Sequence, residues 1–195
     1  MNILVIKSSV FGDNGNSSAL VNEQVERLQA QHPGATVVVR DLAKDTIPHL
    51  DGDRVGAFFT PAEQRSAEQQ AIDDASLALI EELRSADQVV LGLPMYNFGI
   101  PSQLKSWIDH VARAGITFRY TENGPQGLLD DKPVTVVAAR GGLYAGTPND
   151  TVTPYIKLFF GFVGITSVNF VYAEGLNMGD DTREKALSEA RAALQ

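Results

Sequence analysis

Five short apolar runs rich in β-branched residues recur along the chain, at Ile3–Ile6, Val37–Val39, Val89–Leu93, Val134–Ala139 and Val168–Ala173. Each has the length of a strand and little polar alternation, the pattern of a strand covered on both faces. Stretches with helical periodicity lie between and after them. Val21, Val25 and Leu28 share one face behind the cap candidates Ser17 and Ser18. Ile72, Ala75, Leu79, Ile80 and Leu83 form a second stripe, and Leu104, Trp107, Ile108, Val111 and Ala112 a third, entered by Pro101. Val152, Tyr155, Ile156, Phe159, Phe160 and Val163 form the most apolar stripe, and Ala186, Leu187, Ala190 and Leu194 close the chain.

Strands alternating with helices predict an α/β fold: a doubly wound five-stranded parallel sheet with helices on both faces. For a chain of this size the expected strand order is the flavodoxin-like 2-1-3-4-5. No repeat or Pro/Gly-rich linker divides the sequence, so residues 1–195 are expected to form a single domain. Two connections are long, Ala43–Pro61 and Gly115–Lys132, and the second is expected to hold a small hairpin.

Composition narrows the function. There is no cysteine, which excludes disulfide scaffolds, thiolate nucleophiles, iron–sulfur clusters and thiolate-zinc sites. Lys and Arg number 16 against 24 Asp and Glu, a net charge of −8 that argues against a nucleic-acid partner. No run approaches the ~18 apolar residues of a membrane span. The N-terminal apolar run is too short for a signal-peptide core and reads as a strand, so a cytoplasmic location is expected.

Ligands of open α/β sheets bind at the carboxyl ends of the strands, which directs attention to the loops that follow them. The first, Ser8–Ser18, is rich in hydroxyls, amides and glycine and ends at a helix N-terminus, a setting suited to phosphate. It has neither GxxxxGK[ST] nor GxGxxG, so a terminal monophosphate held by neutral donors fits better than a triphosphate or dinucleotide. Plain helix capping by Ser17 and Ser18 is the competing explanation. After the third run, Pro94-Met95-Tyr96-Asn97-Phe98-Gly99 offers apolar side chains to a flat ring and backbone N–H groups to its polar edge. After the fourth, Arg140-Gly141-Gly142 permits αL conformations and a nest of N–H donors. A phosphate pocket, an aromatic ledge and an N–H nest together match the needs of flavin mononucleotide.

The stretches Pro94–Phe98 with Gln103-Leu104-Lys105, and Val111–Pro125, closely resemble the FMN-dependent NADH-azoreductase family, a branch of the flavodoxin-like quinone reductases. Shorter matches are Lys7-Ser8-Ser9, Arg140-Gly141-Gly142, Thr153-Pro154-Tyr155 and Gly161–Ile165, so the likeness runs end to end. It implies a homodimer with FMN tightly bound at the interface, one per protomer. The implied activity is two-electron, ping-pong hydride transfer from NADH or NADPH to quinones and azo compounds. Carried over by position, Ser9, Gly15, Asn16 and Ser17 would hold the phosphate and ribityl end. Pro94, Met95, Tyr96, Asn97 and Phe98 would hold the ring, and Ala139, Arg140, Gly141 and Gly142 its pyrimidine edge. Tyr120, and Phe162 from the partner protomer, would line the substrate pocket. Gly15 and Ala139 stand where many relatives carry serine, and the likeness weakens around Phe58 and Phe59, where nicotinamide preference would be set.

No side chain is assigned as a catalytic acid or base, because the cofactor carries the chemistry. His32, His49 and His110 are not at metal-ligand spacing, are expected at the surface or in loops, and suggest no metal site. Trp107 reads as core or dimer contact. Two other functions compete: a flavodoxin-type carrier of single electrons, and a binding module that keeps the fold without flavin.

Overall fold

The computed structural model describes residues 1–194. Five parallel strands, β1 (Asn2–Lys7), β2 (Thr36–Asp41), β3 (Gln88–Pro94), β6 (Val134–Ala139) and β7 (Val168–Ala173), form a sheet in the order β2-β1-β3-β6-β7. With the intervening hairpin set aside, that is 2-1-3-4-5. The hairpin is a separate antiparallel pair, β4 (Phe118–Thr121) with β5 (Gly124–Gly127), inside the second long connection.

The period of 2 along each strand divides the core. Ile3, Val5, Val90, Val137 and Val171 pack with Leu20, Val21 and Leu28 of α1 (Asn16–Gln31) and Ala190 of α6 (Asp180–Ala193). Leu4, Ile6, Leu91, Val134 and Val136 belong to the opposite core. There they join α3 (Ala67–Ser85), α4 (Ser102–Val111) and α5 (Val152–Val163). Trp107 is buried in this second core, edge-on to Phe159.

Several expectations need correction. The first long connection contains a sixth helix, α2 (Gly52–Phe59), capped by Asp51, whose side chain accepts from the Arg54 N–H. The edge strand β2 is open on part of its surface, with Val38 40% and Val39 50% exposed, because it has a single strand neighbour. Ala75 is exposed, and the buried face of α3 instead carries Asp73 and Ser76. Burial there is sustained by pairing: Asp73 meets Arg65 at 2.5 Å and Arg113 at 2.6 Å, and Ser76 donates to the His110 carbonyl at 2.6 Å. His110 itself is buried, with its ring edge-on to Phe58 and Nδ1 2.8 Å from the Ser106 carbonyl. Finally, Ser17 and Ser18 do not cap α1. Gly15 occupies that position, and both serines lie inside the first turn.

Lys132 follows the hairpin and terminates α3. Its ammonium donates to the carbonyls of Leu83, Arg84 and Ala86 at 2.8, 2.9 and 2.6 Å, satisfying carbonyls that the helix end leaves open. Burial pulls its pKa below the ordinary lysine value.

Candidate active site

The carboxyl ends of β1, β3 and β6 open into a cavity of about 460 Å³. Ser9, Gly15, Asn16, Ser17, Pro94, Met95, Tyr96, Ala139, Arg140 and Gly141 all line it.

The floor is the first turn of α1. Three N–H groups at such a turn have no acceptor within the helix, and the dipole adds partial positive charge. The Ser17 and Ser18 hydroxyls are buried there without any hydrogen-bond partner among the described residues. A buried hydroxyl without a partner is costly, and it calls for a ligand where the cavity reaches it, as at Ser17. Gly15 leaves room for its neighbour: a Cβ at this position would lie 2.3 Å from Ser9 Oγ and would displace that hydroxyl. The chain thus supplies a hydroxyl from Ser9 in the space that a side chain at position 15 would fill. The loop is held by Asp13, which accepts from Lys7 at 2.8 Å and Lys44 at 3.1 Å. Those two ammonium groups hold its carboxyl down at about 2.

The second wall follows β3. Tyr96 and Gly99 exchange both backbone hydrogen bonds, at 3.0 and 2.9 Å, with Asn97 at φ 49° and Phe98 at φ 61° between them. Two central residues at positive φ make a type I′ turn, which asparagine tolerates and phenylalanine rarely adopts. The N–H groups of Asn97 and Phe98 have no acceptor among the described residues. Phe98 is 57% exposed and edge-on to Tyr144, and neither it nor Asn97 reaches the cavity wall in the isolated chain.

The third wall corrects an expectation. Gly141 and Gly142 do not adopt αL, because the segment runs on from β6 and pairs with the loop after β7. Asn177 N–H donates to the Gly141 carbonyl at 3.0 Å, and Gly175 N–H to that of Gly142 at 2.9 Å, while the glycine N–H groups themselves have no acceptor among the described residues. Gly142 leaves space for the Tyr144 ring: a Cβ there would lie 2.8 Å from the phenol hydroxyl and would push it aside. Gly142 does not itself line the cavity.

Arg140 contributes its backbone to the wall. Its guanidinium is wholly buried, 2.9 Å from Asp150, 3.0 Å from Glu174 and 2.8 Å from Thr153 Oγ1. Glu174 in turn accepts from the N–H groups of Tyr144 and Ala145, both at 2.9 Å, so this network shapes the loop. Burial alone would raise the Asp150 carboxyl, but the Thr153 N–H and Arg140 outweigh it and hold it below the usual value.

Tyr120 and Phe162 lie outside this cavity. Tyr120 is 75% exposed on the hairpin and edge-on to Phe118, whose ring centre is 4.2 Å from that of Phe162. The two rings therefore share one cluster on the hairpin and α5.

Five lining residues were missed: Phe11, Asn14, Leu176, Asn177 and Arg183. Phe11 and Asn14 belong to the first loop, already singled out. Leu176 and Asn177 follow β7, whose carboxyl end obeys the same rule as the other strands. Arg183 arrives from α6 without a local signal. A second depression of about 520 Å³ flanks α3 near Ile47, Ala75 and His110, but no orphaned buried polar atom lines it. The chemistry therefore favours the cavity at the strand ends.

Comparison with known proteins bears on the fold and the family. A family described as having a flavodoxin-like fold matches residues 1–195. The FMN-dependent NADH:quinone oxidoreductase of Alcanivorax borkumensis is 79% identical over 194 residues, covering 100% of this chain and 98% of that protein. The protein of the same name from Cellvibrio japonicus is 57% identical, over 99% of this chain and 96% of its own. Among solved structures, an azoreductase from Bacillus anthracis superimposes with a TM-score of 0.90 at 29% identity, covering 100% and 96% of the two chains. An FMN-dependent NADH-azoreductase from Bacillus anthracis in complex with FMN gives 0.88 at 27% identity, covering 99% and 97%. The chain belongs to the family with the flavodoxin-like fold.

Proposed function

We propose that this protein is an FMN-dependent NADH:quinone oxidoreductase that also reduces azo compounds. The observation that carries the reading is the buried, partnerless Ser17 hydroxyl at the head of α1, in a cavity that reaches the ends of β3 and β6. Relatives at 79% and 57% identity are named FMN-dependent NADH:quinone oxidoreductases, and the solved structures at 29% and 27% identity are named azoreductases.

The residues present fit the cofactor. Ser9, Asn16 and Ser17, with the first N–H groups of α1 and close approach at Gly15, would hold the phosphate and ribityl end. Pro94, Met95 and Tyr96 would lie along the ring, with Asn97 and Phe98 presenting free N–H groups at its edge. Gly141 and Gly142, supported by Ala139 and Arg140, would offer N–H donors to its pyrimidine side. When bound, FMN would supply the hydride chemistry, accepting from NADH or NADPH and delivering to the oxidant. The chain's own task is to orient, to exclude water and to place donors before the charge develops.

The same reading takes residues 1–195 as one domain and the working form as a cytoplasmic homodimer. The exposed Tyr120 and the half-buried Phe162 would then complete the substrate pocket across the interface. Nucleic acid has no place in it, given the net charge of −8. Among the described residues no helix is long and apolar enough to cross a membrane.

Steady-state NADH oxidation by the purified protein with a benzoquinone tests the reading. A ping-pong enzyme gives parallel double-reciprocal lines without a second protein. An electron carrier oxidises no NADH until a reductase is added, and that result would replace the proposal.

A further inference from the structure

We infer that Arg183, on α6, is a further phosphate ligand of this site and makes the cavity select a phosphorylated flavin over an unphosphorylated one. The inference rests on the flavin reading and deepens it.

Two arginines line the cavity. Arg140 is wholly buried and spends both terminal nitrogens on Asp150, Glu174 and Thr153, with only its buried Nε left without a partner among the described residues. Arg183 is half-buried and makes no ion pair among the described residues; its one contact there is from Nη2 to Asn16 Oδ1, at 2.6 Å. A guanidinium carries five donors, so most of its capacity is unused among the described residues, in a side chain that lines the cavity.

The contact sits where a phosphate would need it. Asn16 opens α1 and is followed by Ser17, whose buried hydroxyl has no partner. Because a guanidinium only donates, the acceptor Oδ1 of Asn16 faces Arg183, and the Nδ2 donors have no partner among the described residues. Arg183 therefore supplies charge and also sets the Asn16 amide in a donor orientation. Neutral donors solvate a dianion but leave its charge uncompensated in a protein of net charge −8. A charge-assisted hydrogen bond from a guanidinium is roughly twice as strong as a neutral one. The assignment revises the expectation that neutral donors alone hold the phosphate.

The test is a pair of binding titrations on flavin-stripped protein, following the quenching of FMN and of riboflavin fluorescence. Arg183→Gln is expected to raise the Kd for FMN by about tenfold or more while leaving riboflavin unchanged. Arg183→Lys should recover much of the loss. Arg191→Gln removes a charge from the same helix, where Arg191 pairs with Glu23 at 2.9 Å, and should leave both constants unchanged. Equal weakening of FMN and riboflavin in Arg183→Gln would reduce Arg183 to a tether between α6 and α1 and overturn the inference. An unchanged FMN constant would overturn it too. Wild-type protein that binds neither flavin would remove the flavin reading itself, a result separable from either of those.

Discussion

The Tyr96 hydroxyl lies 3.3 Å from Ser9 Oγ and 3.3 Å from the Val10 N–H, joining the loop after β3 to the loop after β1. One phenol thus fixes the separation between the wall assigned to the ring and the floor assigned to the phosphate. Tyr96→Phe keeps the ring and removes the tie. The expected result is FMN binding weakened about threefold to tenfold, the worth of one or two modest hydrogen bonds. Fluorescence titration of the stripped protein checks it, with the melting temperature nearly unchanged.

The I′ turn at Asn97 and Phe98 yields a second prediction. Proline cannot reach φ 49°, so Asn97→Pro should break the turn and abolish flavin retention while far-UV circular dichroism stays native. Gly142→Val should do the same by driving a side chain into Tyr144. Undiminished flavin content in both purified variants would contradict the site assignment.

Arg140 offers a stability prediction. Replacing it with leucine leaves the Asp150 and Glu174 carboxylates, whose side chains are 7% and 14% exposed, without their guanidinium partner, so Glu174 holds the loop N–H groups with its own charge uncompensated. Breaking one side of a buried pair costs about 3–5 kcal/mol. Chemical denaturation should show a loss of that size, alongside lower flavin occupancy.

The acid limb of stability should reflect Asp13 and Asp131. Asp13 is lowered to about 2 by Lys7 and Lys44, and Asp131 is pulled far down by the hydroxyl and N–H of Ser167 and the N–H of Thr166. Carboxyls depressed in the fold stabilise it above the unfolded value of about 3.9 and lose that contribution as pH falls toward the folded value. The melting temperature should therefore fall as pH drops from about 4 toward 2. Asp131→Asn should flatten that slope.

How much of this was legible beforehand follows from locality. The apolar runs at Ile3, Val89 and Val134 become central strands, where β-branched burial leaves little choice, so strand order and both helical layers could be read directly. The first loop and the Pro94–Phe98 turn could be found because each is contiguous and follows a strand. Helix α2 was missed because its eight residues, Gly52 and Gly56 among them, are too few to stand out as a period inside a long connection. Arg183 was missed because its partner Asn16 is 167 residues away, and a contact of that separation leaves no mark in either segment. The burial of Asp73 and His110 was hidden for the same reason, since Arg65, Arg113 and Phe58 come from other elements.

The central claim is that the cavity floored by Ser17 takes FMN, and a visible spectrum tests it most directly. Stripped protein given FMN and freed of excess should show a flavin band at about 450 nm with one flavin per chain. A preparation that takes up none, while its circular dichroism shows the native α/β fold, would contradict the account.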